Sequence, residues 1–305
     1  MKATRDSFGE ALKDLGKEFP NIVALDADLS CSTKSAIFAK EFPERFFQMG
    51  IAESNMVGTA AGLAFTGLIP FISSFGAFVA GRYETIRVSI GYSDANVKIV
   101  GTHAGLGIGE DGYTQMGLED LNVMRGLPNM TVLNPSDDVS TRAAVRFAAT
   151  HEGPVYLRLT RQKLPSLYRS EDVFTAGRGI ILKEGKELAL IGTGASVHDA
   201  LQASEELSEF NPWVVDMHTI KPIDRALIKS LAHSCKAILT VEDHNVIGGL
   251  GSAVAEVLAE EGFSGKLVRL GVQDTFGESG DASALYDKFG ISAKHVVRRA
   301  QEVMG

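Results

Sequence analysis

Met49-Gly50-Ile51-Ala52-Glu53-Ser54-Asn55-Met56 sets one carboxylate in front of a run, Asn55 to Gly81, that contains no charged residue. A run of that length could span a bilayer. Gly58, Gly62, Gly67, Pro70, Ser73, Ser74 and Gly76 interrupt it, however, so it reads as helix, strand and helix in a buried core. A carboxyl at the edge of so much apolar sequence is expected to be partly desolvated, a setting that suits a proton-exchanging group. The same position also suits a first-turn Glu that complements a helix dipole. The local pattern fits both, and the rest of the chain must decide.

On the N-terminal side, Thr4 can cap a helix in which Phe8, Leu12, Leu15 and Phe19 recur at helical spacing, and Pro20 ends it. Ile22 to Leu25 then reads as a buried strand delivering Asp26, Asp28, Ser30 and Ser32 to the loop past its carboxyl end. Ligands of open parallel sheets bind at that end. On the other side, the helix after the buried strand carries Phe75, Phe78 and Arg82, an aromatic pair that can be core or can wall a flat heteroaromatic ring.

Val97 to Gly101 is the next strand, opening into a loop with Gly105, Gly107, Gly109 and Gly112. These glycines let the backbone approach a ligand, with His103 and Asp111 as polar contacts; a long turn with a solvated Asp is the other reading. A helix from about Leu118, a strand Thr131–Leu133, a helix capped by Ser136 with Asp137 and Asp138 in its first turn, and a strand Val155–Leu159 ending at Thr160-Arg161 follow. Apolar periodicity lapses after Gln162.

A second unit has strands at Leu188–Ile191, Trp213–Val215, Ala237–Val241 and Leu267–Leu270, with a helix starting near Gly251. Gly192-Thr193-Gly194-Ala195-Ser196 reads as a tight strand-to-helix turn rather than a phosphate cradle, and Gly248-Gly249-Leu250-Gly251 as a packing device. The fold class is α/β: two consecutive three-layer α/β domains with mostly parallel sheets, residues 1–165 and 185–305, joined by a linker at 166–184.

Composition narrows the partners. The 305 residues are 45% hydrophobic and 22% charged, with a net charge of -8 and no basic block, which opposes nucleic acid or an acidic membrane as a partner. The start has no apolar signal core, and Cys31 and Cys235 lack metal or redox spacing, so a cytoplasmic chain with free thiols is expected.

Arg5, Asp28-Leu29-Ser30 with Ser32, Gly50-Ile51-Ala52-Glu53, Ser74-Phe75, Thr102-His103, Gly109-Glu110-Asp111-Gly112 and Leu159-Thr160-Arg161-Gln162 occur in the order found in transketolases. The whole chain resembles the C-terminal half of one, a pyrimidine-binding domain followed by the family's C-terminal domain, as in the C-terminal subunit of split transketolases. The family's other half carries Gly-Asp-Gly and a later Asn that bind magnesium and diphosphate. Glu110-Asp111-Gly112 with Asn134 is a poor imitation of it, because its first position is acidic.

The resemblance implies thiamine diphosphate, magnesium held by an N-terminal partner subunit, assembly as a heterotetramer, and transfer of a two-carbon ketol unit from a ketose, expected as its phosphate, to an aldose. Glu53 is then the catalytic residue, hydrogen-bonding the aminopyrimidine ring. Phe75 and Phe78 stack on that ring, and Asp28 lies near the cofactor and the chain interface. Arg5, Ser32, His103 and Arg161 match residues that bind a sugar phosphate, and Asp111 one that recognises a substrate hydroxyl. Gln115 stands where transketolases usually carry a His, Met116 departs from a polar pattern, and Gly81 replaces a third aromatic. The beta subunit of a 2-oxoacid dehydrogenase, deoxyxylulose phosphate synthase and a non-catalytic module share the domain arrangement and are the competing readings.

Overall fold

Phe8, Leu12 and Leu15 are buried along one side of the helix Thr4–Glu18, and the chain turns at Pro20 into a strand buried at every residue. The computed structural model describes residues 1–305. In chain order the strands are β1 (Lys2–Ala3), β2 (Ile22–Asp26), β3 (Phe46–Gln48), β4 (Ile69–Phe75), β5 (Lys98–Thr102), β6 (Thr131–Leu133) and β7 (Val155–Arg158). They continue as β8 (Lys163–Leu164), β9 (Ile180–Lys183), β10 (Leu188–Gly192), β11 (Trp213–Asp216), β12 (Thr219–Lys221), β13 (Ala237–Asn245) and β14 (Lys266–Val272).

Seven strands form one sheet in the order β12-β6-β7-β5-β4-β2-β3, and five form another in the order β14-β13-β10-β11-β9. Both are parallel except at one edge, where β12 runs antiparallel to β6 and β9 to β11. Helices cover the sheets, which is why β2, β4, β5 and β10 read as apolar runs rather than as alternation. The uncharged run resolves into the helix Glu53–Ala64, β4 and the helix Gly76–Ala80. No helix is long and apolar enough to cross a membrane.

Several local expectations change. Ala3, not Thr4, is the N-cap of the first helix, because β1 pairs with β8 and brings Thr160 alongside. The Thr4 hydroxyl accepts from the Thr160 amide at 2.8 Å instead. Asp137, not Ser136, caps the helix Asp138–Thr150: its Oδ1 accepts from the Ser140 amide at 2.7 Å, and its Oδ2 from the amides of Leu167 and Tyr168 at 2.8 and 3.1 Å. Ser136 is taken up one layer away, donating to Asp216 Oδ2 at 2.5 Å. Phe75 closes β4 rather than lying within the following helix.

Gly248-Gly249-Leu250-Gly251 does serve packing. The buried Glu242 carboxylate accepts from the Leu250 and Gly251 amides at 2.7 and 2.8 Å, capping the helix Leu250–Glu260, and a Cβ on Gly249 would lie 1.9 Å from Glu242 Oε2. β12 escaped the sequence reading altogether. It leaves the second unit to extend the first sheet, and nothing in three residues encodes a partner so distant in the chain.

Candidate active site

β2, β4 and β5 run parallel, so their carboxyl ends meet at one sheet edge. Glu53 enters that edge as the first residue of its helix; it is only 7% exposed, and the Ser74 hydroxyl at the end of β4 donates to its Oε1 at 3.1 Å. Oε2 has no side-chain partner. Beside them, Phe75 and Phe78 stack with centroids 5.3 Å apart and planes at 14°. The other neighbour of Phe75 is His103, stacked at 3.9 Å, because Phe75 is in register with Thr102 on β5.

His103 is buried. Its Nδ1 lies 2.8 Å from the Thr102 hydroxyl and its Nε2 2.5 Å from Arg5 Nη1. A guanidinium only donates, so Nε2 accepts and Nδ1 carries the proton. Burial, with Arg5, Arg161 and Lys34 acting in the same direction, lowers the His103 pKa from 6.5 to about 3. The imidazole is therefore neutral, and the positive charge of this cluster comes from the arginines. Between pH 6.5 and about 3 the unfolded chain binds a proton that the folded chain does not, so this residue costs stability as pH falls through that window. Titration of His103 by NMR is expected to show a midpoint below about pH 4; a midpoint near 6.5 would mean that the ring is not held in this environment.

Arg5 Nη1 also donates to the Ser32 carbonyl at 3.0 Å, while its buried Nε has no acceptor. Arg161 donates to the Ile108 carbonyl and to Asp111 Oδ1, each at 3.1 Å. The structure thus brings Glu53, Phe75, Phe78, His103, Arg5, Ser32, Arg161 and Asp111 into one contiguous set. Asp28 stands at its margin, exposed, with φ +66° and its amide on Gln48 Oε1 at 2.7 Å.

Three of the glycines after β5 lie against the second unit. Gly105, Gly109 and Gly112 have φ of +87°, +76° and +82°, and a Cβ at each would meet not open space but the second unit: Asp243 Oδ2 at 2.1 Å, the Gly280 carbonyl at 3.1 Å and Ser279 Oγ at 2.5 Å. Gly105→Ala is expected to cost roughly 1–3 kcal/mol through the left-handed backbone alone. Chemical denaturation checks it; a variant as stable as the parent would mean that the loop relaxes away from Asp243.

The family model "Transketolase, pyrimidine binding domain" matches residues 1–166, and the model "Transketolase, C-terminal domain" matches residues 177–296. The chain belongs to the transketolase family. A "putative transketolase C-terminal section" from Methanocaldococcus jannaschii is 48% identical, the match covering 99% of this chain and 96% of the relative. A "6-deoxy-6-sulfo-D-fructose transketolase subunit" from Clostridium is 41% identical over 98% and 94%. A solved structure described as "split gene transketolase, inactive beta4 tetramer" superposes with a TM-score of 0.92 at 50% identity, covering 100% of this chain and 99% of that one. Against full-length animal transketolases the chain spans about half the relative's length.

The departures from the transketolase pattern now have places. Gln115 is half-buried, at the end of a tight turn, with its Oε1 taken by the Thr114 hydroxyl. Met116 is core: it is buried with Leu106, Leu118 and Phe75, and Gly277 passes over its sulfur. Gly81, exposed, closes the short helix after Phe78.

One group of this transketolase-family chain was invisible in the sequence. Asp120 accepts from Tyr156 Oη at 2.7 Å and from Arg158 Nε at 2.9 Å, and all three are buried. Arg158 Nη2 reaches across the domain boundary to the Asp243 carbonyl at 2.7 Å. Asp120 sits in a first turn and Arg158 in a strand, so the signal that existed was two charges in apolar stretches, without any indication of the pairing.

Proposed function

We propose that this chain is the C-terminal subunit of a split, thiamine diphosphate-dependent transketolase, moving a two-carbon ketol unit from a ketose to an aldose, with a second chain supplying the diphosphate-binding domain. The observation that carries this reading is the buried Glu53 carboxylate, with one oxygen unpartnered, beside the stacked Phe75–Phe78 pair. That pairing of an acceptor and an aromatic wall fits an aminopyrimidine ring. Thiamine diphosphate, when bound, supplies the nucleophilic carbon and the electron sink that ketol transfer requires. Glu53 would accept a hydrogen bond from the pyrimidine edge and hold its proton balance, while Phe75 and Phe78 exclude water from one side. Magnesium ligands are expected on the partner.

Arg5 and Arg161 form the cationic end of the site, and Asp111 restrains Arg161 until a stronger anion displaces it. A sugar bearing a tetrahedral oxyanion, phosphate or sulfonate, fits this pair, and one relative is named for a sulfo-sugar. Ile51 and Phe65 are 85% and 65% exposed at the two ends of the helix Glu53–Ala64, and a Cβ on Gly58 or Gly62 would meet nothing within 4 Å. That open face supports closure of the site by another chain, within a heterotetramer.

The test is gentle purification followed by mass spectrometry for thiamine diphosphate and for a second chain carrying Gly-Asp-Gly. Reconstitution with that chain, magnesium and cofactor should then give ketol transfer from a phosphorylated or sulfonated ketose. Pyruvate decarboxylation without sugar transfer would move the chain to the 2-oxoacid dehydrogenase class, and failure to bind cofactor with the partner present would make it a non-catalytic module.

A further inference from the structure

We propose that the C-terminal domain acts on the reaction through Asp243, a positioning residue that fixes the shape of the loop Ala104–Gln115 and thereby the placement of Asp111 and Arg161 toward substrate. The proposal rests on the transketolase reading above and adds a working part to a domain that contributes no residue to the candidate site.

Asp243 lies near the end of β13, is 3% exposed, and directs its carboxylate out of its own domain. Oδ1 accepts from the Leu106 amide at 2.7 Å, and Oδ2 lies 3.4 Å from the Gly107 amide. These are the first two amides of the turn that ends at Asp111. Oδ2 also accepts from Tyr286 Oη at 2.6 Å, and Tyr286 Oη is 3.1 Å from Gln162 Oε1, next to Arg161. The carboxylate therefore holds the loop directly and meets the Arg161 segment through Tyr286.

The rest of the contact has the same sense. Ser279 and the Gly280 carbonyl lie against Gly112 and Gly109, and Gly277 against Met116, so the second domain follows the loop along its length. The fit tolerates no Cβ at Gly105, which places the loop backbone directly on the carboxylate. Arg158 holds the Asp243 backbone from the other side, donating to its carbonyl at 2.7 Å.

Domain adhesion alone would predict a uniform loss of stability when Asp243 is removed. Positioning predicts a local one. Hydrogen exchange on the full chain, which needs neither partner nor activity, separates them with Asp243→Ala, Asp243→Asn and Tyr286→Phe. In D243A the Leu106 and Gly107 amides should exchange about tenfold faster or more, with Ile238 and Leu239 on β13 unchanged; D243N, which keeps one acceptor oxygen, should fall between D243A and the parent. In the reconstituted enzyme, KM for the ketose should rise about tenfold with cofactor affinity within about twofold.

Parent-like exchange at Leu106 and Gly107 would overturn the proposal. So would faster exchange throughout β13, or a faster loop with unchanged KM. Should D243A fail to fold, D243N and Y286F decide by the same criteria. A parent complex that transfers no ketol unit would instead remove the functional reading, while the exchange data would still report whether Asp243 holds the loop.

Discussion

Glu53→Ala in the assembled enzyme is expected to lower turnover about a hundredfold or more, the usual scale for loss of an acid–base group. The expectation follows from placement. The carboxylate is buried at the carboxyl end of a parallel sheet, is oriented by a single hydrogen bond from Ser74, and keeps one oxygen for a ligand. Because so little of the fold depends on it, the variant should unfold at the same temperature as the parent and still associate with the partner. Glu53→Gln preserves shape and the contact with Ser74 but removes the carboxylate, and should lose most of the activity as well. Steady-state kinetics on the reconstituted complex, with thermal unfolding as the control, decides. Parent-like turnover in either variant would remove Glu53 from the mechanism.

Asp120→Ala should be the most destabilising single change, at about 3–5 kcal/mol, because it leaves a buried guanidinium without its counter-ion. The side chains of Arg158 and Asp120 are 5% and 0% exposed. The carbonyls of Gly117 and Asp243 still accept from Arg158 Nη2, but neither supplies the missing charge. Tyr156, fully buried, would lose its acceptor at the same time. Asp120→Asn keeps an acceptor and should cost less. The midpoint of urea unfolding measures both, with the slope unchanged if the transition stays two-state. A cost below about 1 kcal/mol for D120A would mean that water reaches Arg158 and the pair is not a buried one.

The two changes probe different layers. Glu53 was readable because a lone carboxylate before a long uncharged run is a local contrast, and the ordered motifs around it narrowed its meaning. Asp120 was not readable, since an Asp in a helical first turn looks the same whether it faces water or a buried arginine. His103 falls between. Its place beside a glycine-rich loop was legible, but its neutrality was not, because that depends on burial against Phe75 and on three cationic side chains drawn from separate parts of the chain.

Glycine shows the same limit. Four glycines after a strand promised close backbone approach, and the nearest neighbours of a Cβ at each are Asp243, Gln162, Gly280 and Ser279. The residue type announces that a Cβ is forbidden; it does not say by what.

By itself the sequence determined the order of the main helices and strands, the mostly parallel sheets and the break of the uncharged run into three elements. Those depend on periodicity and on apolar runs a few residues long, which are local properties. Only the tertiary structure decided that β12 returns to the first sheet, that Asp137 rather than Ser136 caps its helix, and that Asp243 bonds Leu106 across 137 residues. In each case the choice of partner is made when the domains pack, because a buried polar group must take whichever donor or acceptor packing brings within reach.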